Sequence, residues 1–370
     1  MAADDLNKPL GLDAPRSRGR NFYLTIGGGS AAVVALAAIA WIALPDDKGP
    51  TATAVINAPS DAGPIVPERT GSTQAVDGLT EIVPTGGLTE VGKVVIHDPS
   101  DPAPIQLAAL PDRALIEDSP DGPLPRIATD GARPLDVYAR PSDMDEGDPR
   151  VAIIIGGVGI DADGTAQAIR ALPGSVTLAF APYGDDLAAA LADARASGHE
   201  ILLQIPMEPY NYPQTDPGPN TLTADATPDE NISRLHWFLS RLTNYVGVVN
   251  YMGGRFTSET AALTPVAEDI GGRGLLYLDD GSSTRSKAAE ATEGLAPFLR
   301  ADVILDADLT ADAIDERLRQ LQAIARQRGY AIATGTAFPV TVERVAAFAK
   351  AAADRGFVIV PLSALAPRRS

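Results

Sequence analysis

Short apolar runs recur at regular intervals from residue 151 to the end of the chain, and each is followed by a stretch that can form a helix. The eight runs are Val151–Ile155, Val176–Ala181, Ile201–Ile205, Val246–Asn250, Gly274–Leu278, Val303–Leu305, Tyr330–Ala333 and Phe357–Val360. Runs of this length are typical of buried strands, and their alternation with helices predicts βα units around a parallel sheet. Chemistry in such sheets lies at the carboxyl ends of the strands, so the residues just after each run are the candidates for a site.

The helical stretches between the runs carry clear signals. In 311–328 apolar residues recur at three- and four-residue steps, and Gly329 follows at the expected end. Another helix is predicted to begin at Pro228 and to run through Arg241, with Thr227 as its N-cap. Eight units in so few residues favour a distorted (β/α) barrel of seven or eight units over 150–365 rather than an open doubly wound sheet. The long insert 207–226 follows the third strand, so we expect it over the mouth of the barrel.

The N-terminal part contains a candidate membrane anchor. Residues 22–44 form 23 consecutive positions without a charge, enough for a helix to span about 30 Å of hydrocarbon. Arginines precede the stretch and aspartates follow it, which predicts a cytoplasmic N-terminus at 1–21 and an inner-membrane, single-pass protein with a periplasmic C-terminal domain. A cleaved signal peptide is the alternative.

Residues 45–123 read as a Pro/Asp/Gly-rich disordered linker, since 45–149 holds about half of the 31 prolines and few aromatic residues. The more apolar stretch 124–149 is predicted to be an arm that packs on the domain, with Ile127, Leu135 and Tyr138 as anchors.

Composition excludes several functional classes. The chain has no cysteine, so it has neither disulfides nor thiolate chemistry. Its formal net charge of −18 argues against nucleic acid as a partner, because phosphates are bound by clusters of Lys and Arg.

Polar residues follow several of the predicted strands. Glu208 comes after the third run, as a base or ligand on one interpretation and as a hydrogen-bond acceptor bracing a loop on the other. Asn250 ends the fourth run, and Arg255 close by would suit sugar hydroxyls or a salt bridge to Glu208. Asp279 and Asp280 could act as acid and base or hold a metal, or could form a polar turn.

One further aspartate and the two histidines of the domain are weaker candidates for site residues. Asp306 follows the sixth run. His199 precedes a strand, at the opposite end of the sheet from Glu208, and His236 lies on a predicted helix, so we expect both histidines to be structural.

Several motifs in register resemble the divergent polysaccharide deacetylase family over roughly 151–364. They are Val-Ala-Ile-Ile-Ile-Gly-Gly-Val-Gly at 151–159, Gly-His-Glu-Ile-Leu-Leu-Gln-Ile-Pro-Met-Glu-Pro at 198–209, Asp-Pro-Gly-Pro at 216–219 and Val-Gly-Val-Val-Asn-Tyr-Met-Gly-Gly-Arg-Phe-Thr at 246–257. The resemblance implies a distorted barrel of the polysaccharide deacetylase type outside the cytoplasm, acting on cell-envelope polysaccharide or peptidoglycan. It also implies a divalent metal such as zinc, which would polarise an acetyl carbonyl and activate water.

The chain departs from the family at the positions that would hold this metal. Much of the family ends the first strand with two aspartates, where this chain has Gly156 and Gly157, and Tyr251 stands in place of a histidine. Glycine offers no ligand, and a tyrosine hydroxyl is a poor zinc ligand.

Two functions therefore remain open at this point. One is a membrane-anchored deacetylase of envelope glycan, with Glu208 and Asp279 as catalytic residues and Asn250, Tyr251, Arg255 and Asp280 binding substrate. The other is a catalytically inactive barrel that binds glycan or a protein partner in the same groove.

Overall fold

The computed structural model describes residues 105–142 and 147–367 of the chain. The predicted anchor at 22–44 and most of the predicted linker lie outside these residues. Within the described ranges no helix is both long enough and apolar enough to span a bilayer.

The described chain alternates strands and helices from residue 150 onward. The strands are β1 (Ile116–Ser119), β2 (Gly122–Pro125), β3 (Arg150–Val158), β4 (Thr177–Phe180), β5 (Ile201–Met207), β6 (Gly247–Met252), β7 (Leu276–Asp279), β8 (Phe298–Arg300), β9 (Val303–Ile304), β10 (Tyr330–Thr336) and β11 (Val358–Ile359). The helices are α1 (Pro134–Val137), α2 (Ala162–Ala171), α3 (Leu187–Ala196), α4 (Pro228–Leu239), α5 (Thr260–Gly272), α6 (Ala288–Ala291), α7 (Ala311–Arg328) and α8 (Pro339–Lys350).

The predicted α/β class with a parallel sheet is confirmed. The main sheet runs in the order β8-β7-β6-β5-β4-β3-β10-β9, with all pairs parallel, and β11 pairs with the first residues of β3. All eight apolar runs contain a strand of this sheet. The sheet is curled as a half-barrel, so the carboxyl ends of its strands face one side.

A single short segment, 298–304, occupies both edges of this sheet. Its first part, β8, pairs with β7, and two residues later β9 pairs with β10. Between them the Ala301 backbone N–H donates to the Asp279 carbonyl at 2.9 Å, and that of Asp302 donates to the Ile332 carbonyl at 2.8 Å. We call 298–304 the closing segment. It was not resolved from the sequence, where only its second half appears as an apolar run.

Two apolar cores lie on the two sides of the curled sheet. The outer core fills the space between the strands and the surrounding helices. The inner core lies inside the curl and includes Leu202 and Ile332 together with Leu135 and Tyr138 of the arm. The arm therefore packs into the amino-terminal end of the curl. Ile127, the third predicted anchor, is only half-buried.

The end of the predicted linker differs from expectation. Residues 113–115 form a 3₁₀ turn, and β1 and β2 pair as an antiparallel hairpin. Leu115 is buried in the inner core. The guanidinium of Arg273, the residue that follows α5, donates to the Glu117 carboxylate at 2.7 Å. The disordered-linker prediction is therefore wrong for 113–123, because a few apolar and charged side chains in this Pro-rich stretch contact the domain.

A buried polar cluster joins the arm, the domain and the C-terminal turn. Glu200, at the start of β5, accepts hydrogen bonds from the Ser363 hydroxyl, from the Ser363 N–H at 3.0 Å and from the Arg140 N–H at 3.2 Å. Arg195 is also buried, and its guanidinium donates to the Tyr138 carbonyl at 2.8 Å. Burial raises the pKa of Glu200, and burial lowers the pKa of Arg195 to about 10.

Candidate functional site

The carboxyl ends of the strands surround an open cavity of about 860 Å³. Its floor is formed by inner-core residues such as Ile154, Ala179 and Val249. The arm fills the amino-terminal end of the curl, and the cavity lies at the other end, where the sequence placed the candidate residues. We call it the mouth cavity.

The six predicted site residues separate into two groups. Those that line the mouth cavity are Asn250, Tyr251 and Asp280. Those that do not are Glu208, Arg255 and Asp279.

Gln204 occupies the place at the end of β3 where the family resemblance implies aspartates. Its side chain projects from β5 into the mouth cavity, and its Oε1 accepts the Gly157 N–H at 2.8 Å. A Cβ atom at Gly156 would lie 2.7 Å from Nε2 of Gln204, and Gly157 has a φ of +73°, which side chains rarely adopt. The glycine pair and the glutamine therefore fit each other.

The same hydrogen bond fixes the direction of the Gln204 amide. Because Oε1 is bound to the backbone, Nε2 is the end left for other partners, and the described part of the chain offers it no acceptor. Gln204 thus presents a free N–H donor to the mouth cavity.

Asp280 is the partly buried carboxyl group of the mouth cavity. Its Oδ1 accepts from the Ser282 N–H at 2.8 Å and from the Ser282 hydroxyl at 2.7 Å. Burial raises the pKa of Asp280, although the hydrogen bonds from Ser282 oppose this effect. The group can accept hydrogen bonds from a ligand, and its raised pKa favours proton exchange.

Asn250 positions the backbone around the mouth cavity. Its Nδ2 donates to the Met252 carbonyl at 2.7 Å, and its Oδ1 accepts the Asp280 N–H at 3.0 Å. Met252 has a φ of +59°, so the side chain of Asn250 holds β6 in a sharp bend that turns Tyr251 outward. Tyr251 is 41% exposed and lines the wall.

Glu208 and Arg255 form a brace outside the mouth cavity. Glu208 is buried and accepts from the guanidinium of Arg255 at 2.5 Å and from the Ala224 N–H at 2.7 Å. Arg255 also binds the carboxylate of Asp225, at 2.7 and 2.8 Å. Of the two interpretations of Glu208, these contacts favour the acceptor that braces a loop. They also favour the salt bridge for Arg255.

Asp279 and Asp306 hold turns at the ends of their strands. Asp279 is buried and accepts from the Gly281 N–H at 2.8 Å and from the Ser286 hydroxyl at 2.5 Å. Asp306 accepts from the Thr336 N–H at 2.6 Å. These contacts favour the polar-turn interpretation of Asp279.

The long insert 207–226 contributes to the rim, as expected. Pro217 lines the mouth cavity, and the Tyr183 hydroxyl donates to the Pro219 carbonyl at 2.7 Å. Gly218 has a φ of +124°, and a Cβ there would lie 2.8 Å from the Tyr183 ring. The insert is thus seated directly on an aromatic side chain of the wall.

Neither described histidine lines the mouth cavity. His199 is fully buried, with Nδ1 2.9 Å from the Val176 carbonyl and Nε2 3.2 Å from that of Ile169. His236 lies 3.1 Å from Asp269 on the helical surface. Both are structural in these contacts.

Three residues that line the mouth cavity were not predicted from the sequence: Gln204, Ile160 and Phe338. Gln204 carried a usable signal, since it is the polar position inside the apolar run Ile201–Ile205. Ile160 and Phe338 line the mouth cavity although they are 67% and 43% exposed, and isolated apolar residues in loops carry no pattern.

The comparisons with known proteins identify the family. The family model described as divergent polysaccharide deacetylase matches residues 153–366. The chain belongs to this family, and the resemblance read from the motifs is confirmed.

Similar proteins extend this result. The chain is 48% identical to the crystal structure of the uncharacterized protein ATU2773 from Agrobacterium tumefaciens C58, with a TM-score of 0.65, covering 66% of this chain and 99% of that one. It is 26% identical over 194 residues to the uncharacterized protein YibQ of Escherichia coli, covering 52% of this chain. The chain spans 60% of the length of YibQ. A structure of the catalytic domain of a peptidoglycan N-acetylglucosamine deacetylase from Eubacterium rectale has 13% identity and a TM-score of 0.42, covering 61% of this chain and 94% of that one.

The residues of the mouth cavity do not fit the divalent metal that the resemblance implies. Gly156 and Gly157 supply no ligand, and the Gln204 amide fills the adjacent space. No three His, Asp or Glu side chains of the described ranges are close enough together to hold a metal ion. The side chains of the mouth cavity therefore do not supply the ligands of a metal that would polarise an acetyl carbonyl.

Proposed function

We propose that this protein binds cell-envelope glycan, polysaccharide or peptidoglycan, in the mouth cavity through hydrogen-bonding side chains in place of a metal. The observation that carries the proposal is the Gln204 amide. It stands where the family's aspartates would lie, with Oε1 fixed by Gly157 and Nε2 free toward a cavity of about 860 Å³.

The other lining groups suit a carbohydrate. Asp280 offers carboxylate oxygens to hydroxyl donors, and the exposed ring of Tyr251 offers an apolar surface with a polar tip. Ligand cavities typically combine such apolar walls with a few oriented polar groups, at volumes of about 300–1,000 Å³. Family membership supports a carbohydrate as the ligand.

We also propose that the barrel works on the outer side of the inner membrane, anchored by residues 22–44. The support is the charge-free length of that stretch and the arginines that precede it.

The test is the affinity of the full-length protein for soluble oligomers of N-acetylglucosamine and for peptidoglycan fragments, measured by titration calorimetry. Gln204→Glu keeps the acceptor for Gly157 but replaces the free N–H donor by an oxygen. We expect it to weaken binding by roughly tenfold, because an unmade hydrogen bond in a partly desolvated site costs about 1–3 kcal/mol.

The matched control is Gln320→Glu, the same change on the exposed face of α7. It should leave affinity unchanged. Equal affinities of wild type and Gln204→Glu would contradict the role of Gln204, and absence of binding to every glycan would contradict the proposed function.

Glycan deacetylation is the second candidate, and the raised pKa of Asp280 is the observation that favours it. A carboxyl group of this kind can serve as acid or base in amide hydrolysis. Release of acetate from acetylated oligomers, lost in Asp280→Asn and kept in Gln320→Glu, would establish this activity. A zinc titration of the same protein would show whether a metal takes part.

A further inference from the structure

The walls of the mouth cavity differ on its two sides. We propose that its ligand is an uncharged sugar bearing a hydrocarbon chain, with the sugar on one wall and the chain on the other. This inference rests on the proposed glycan-binding function and narrows its ligand to an acylated sugar with a chain longer than acetyl.

The polar wall comes from three strands that are neighbours in the sheet, β5, β6 and β7. It carries the free amide donor of Gln204, the hydroxyl of Tyr251, the carboxylate of Asp280 and the exposed Ser282. This wall thus combines hydrogen-bond donors with acceptors, as the hydroxyl groups of a sugar require.

The apolar wall comes from the other three neighbours, β4, β3 and β10. The loops after these strands bring Ile160, Ala181, Pro182, Phe338 and Pro339 to the cavity. Ile160 and Phe338 are 67% and 43% exposed, so much of their apolar surface faces water. Covering such surface with a hydrocarbon chain is favourable.

Three polar side chains near the apolar wall are hydrogen-bonded within the protein. The Asp161 carboxylate accepts the Gly164 N–H at 2.6 Å, and the Thr165 hydroxyl oxygen accepts the Gly159 N–H at 2.8 Å. Thr334 donates its hydroxyl to the Asp280 carbonyl at 3.1 Å. These three groups therefore have less hydrogen-bonding capacity left for a second sugar.

The charge of the lining selects against an anionic ligand. The described residues around the mouth cavity include Asp161, Asp163 and Asp280 but no Lys, Arg or His. A fatty acid, a phospholipid head group or a free phosphate would meet like charge without a compensating cation. The lining therefore disfavours a negatively charged polar end, which separates an acylated sugar from an anionic lipid.

The experiment uses the full-length protein and a series of N-acylglucosamines with acetyl, butanoyl, hexanoyl and octanoyl chains, kept below the concentration at which they form micelles. The head group is constant, so only the chain changes. We expect the dissociation constant to fall by about two- to fourfold for each added methylene until the apolar wall is covered.

Phe338→Ser removes the aromatic ring that residue 338 brings to the apolar wall, and serine is favourable at this position because residue 338 is the N-cap of α8. This variant should weaken binding of the octanoyl compound more than binding of the acetyl compound. The gain in affinity for each added methylene should therefore be smaller than in wild type. Leu309→Ser is the matched control, since Leu309 is 50% exposed, lies just before α7 and does not line the cavity. It should keep the wild-type chain-length dependence.

Each result decides between the two proposals. Equal affinity for all four compounds, or an unchanged chain-length dependence in Phe338→Ser, would overturn the inference while the glycan-binding function stands. Binding of octanoate as tight as that of N-octanoylglucosamine would overturn the requirement for an uncharged sugar. Absence of binding by every compound and by the N-acetylglucosamine oligomers would overturn the proposed function itself.

Discussion

Replacing Glu200 by alanine is expected to lower the free energy of unfolding by about 3–5 kcal/mol, the usual cost of removing one partner from a buried charged network. Glu200 is fully buried and accepts hydrogen bonds from the arm, from Thr177 and from Ser363 in the C-terminal turn. Without it, buried N–H groups lose their acceptor, and the buried Arg195 loses a nearby opposite charge. Urea unfolding followed by circular dichroism measures the change.

Two variants make this result specific. Glu200→Gln keeps the size of the side chain but turns an NH₂ group toward N–H donors, so we expect a smaller loss of about 1–3 kcal/mol. Glu293→Ala removes an exposed glutamate and should stay within about 0.5 kcal/mol of wild type. A Glu200→Ala protein as stable as wild type would show that the cluster does not hold the arm.

The raised pKa of Glu200 gives the pH dependence a definite sign. Its pKa in the folded protein lies above the ordinary value of 4.5, so its contribution to stability is fully present below pH 4.5 and declines as pH rises through the folded pKa. The stability difference between wild type and Glu200→Gln should therefore shrink as pH rises above 4.5. His199 acts in the opposite direction, because burial lowers its pKa below 6.5, but it is common to both proteins.

The second large effect is expected at two adjacent glycines near the end of α5. A Cβ at Gly271 would lie 1.9 Å from the Leu295 carbonyl oxygen and 2.7 Å from its carbon, whereas a Cβ at Gly272 would meet nothing within 4 Å. Gly271→Ala should destabilise the protein by about 1–3 kcal/mol, because the backbone around Leu295 must move. Thermal and urea unfolding report the change.

Gly272→Ala is the internal control and should have the opposite sign. Alanine in an open helical position stabilises by up to about 0.5–1 kcal/mol relative to glycine, mainly by restricting the unfolded chain. Losses of similar size at both positions would show that helix propensity, rather than the contact with Leu295, sets the requirement for glycine.

The strands and the position of the candidate site could be predicted from the sequence to different degrees. Strands buried on both faces need continuous apolar runs, so the eight runs identified every strand of the parallel sheet except β8. The hairpin β1–β2 was missed because its Pro-, Asp- and Gly-rich composition is that of a linker, although Leu115 is buried in the inner core.

The mouth cavity lies at the carboxyl ends of the strands, where candidate residues were expected, but only three of the six candidates line it. Asp279 and Asp280 are adjacent, yet one holds a turn and the other lines the mouth cavity, since neighbouring residues point to opposite faces of a strand. Glu208 lies just past β5 and turns toward Arg255, while Gln204 inside the strand faces the cavity. Spacing alone cannot settle which member of such a pair faces inward, because the turn after the strand decides it.

The closing segment affects whether the edges of the sheet can pair with other chains. An open parallel sheet exposes two border strands whose unpaired amide and carbonyl groups invite pairing with a neighbour. Here both border strands, β7 and β10, are hydrogen-bonded to the closing segment. The guanidinium of Arg328 also donates to both carboxylate oxygens of Asp302 in that segment, at 2.9 and 2.5 Å. The two border strands are thereby protected against pairing with strands of another chain.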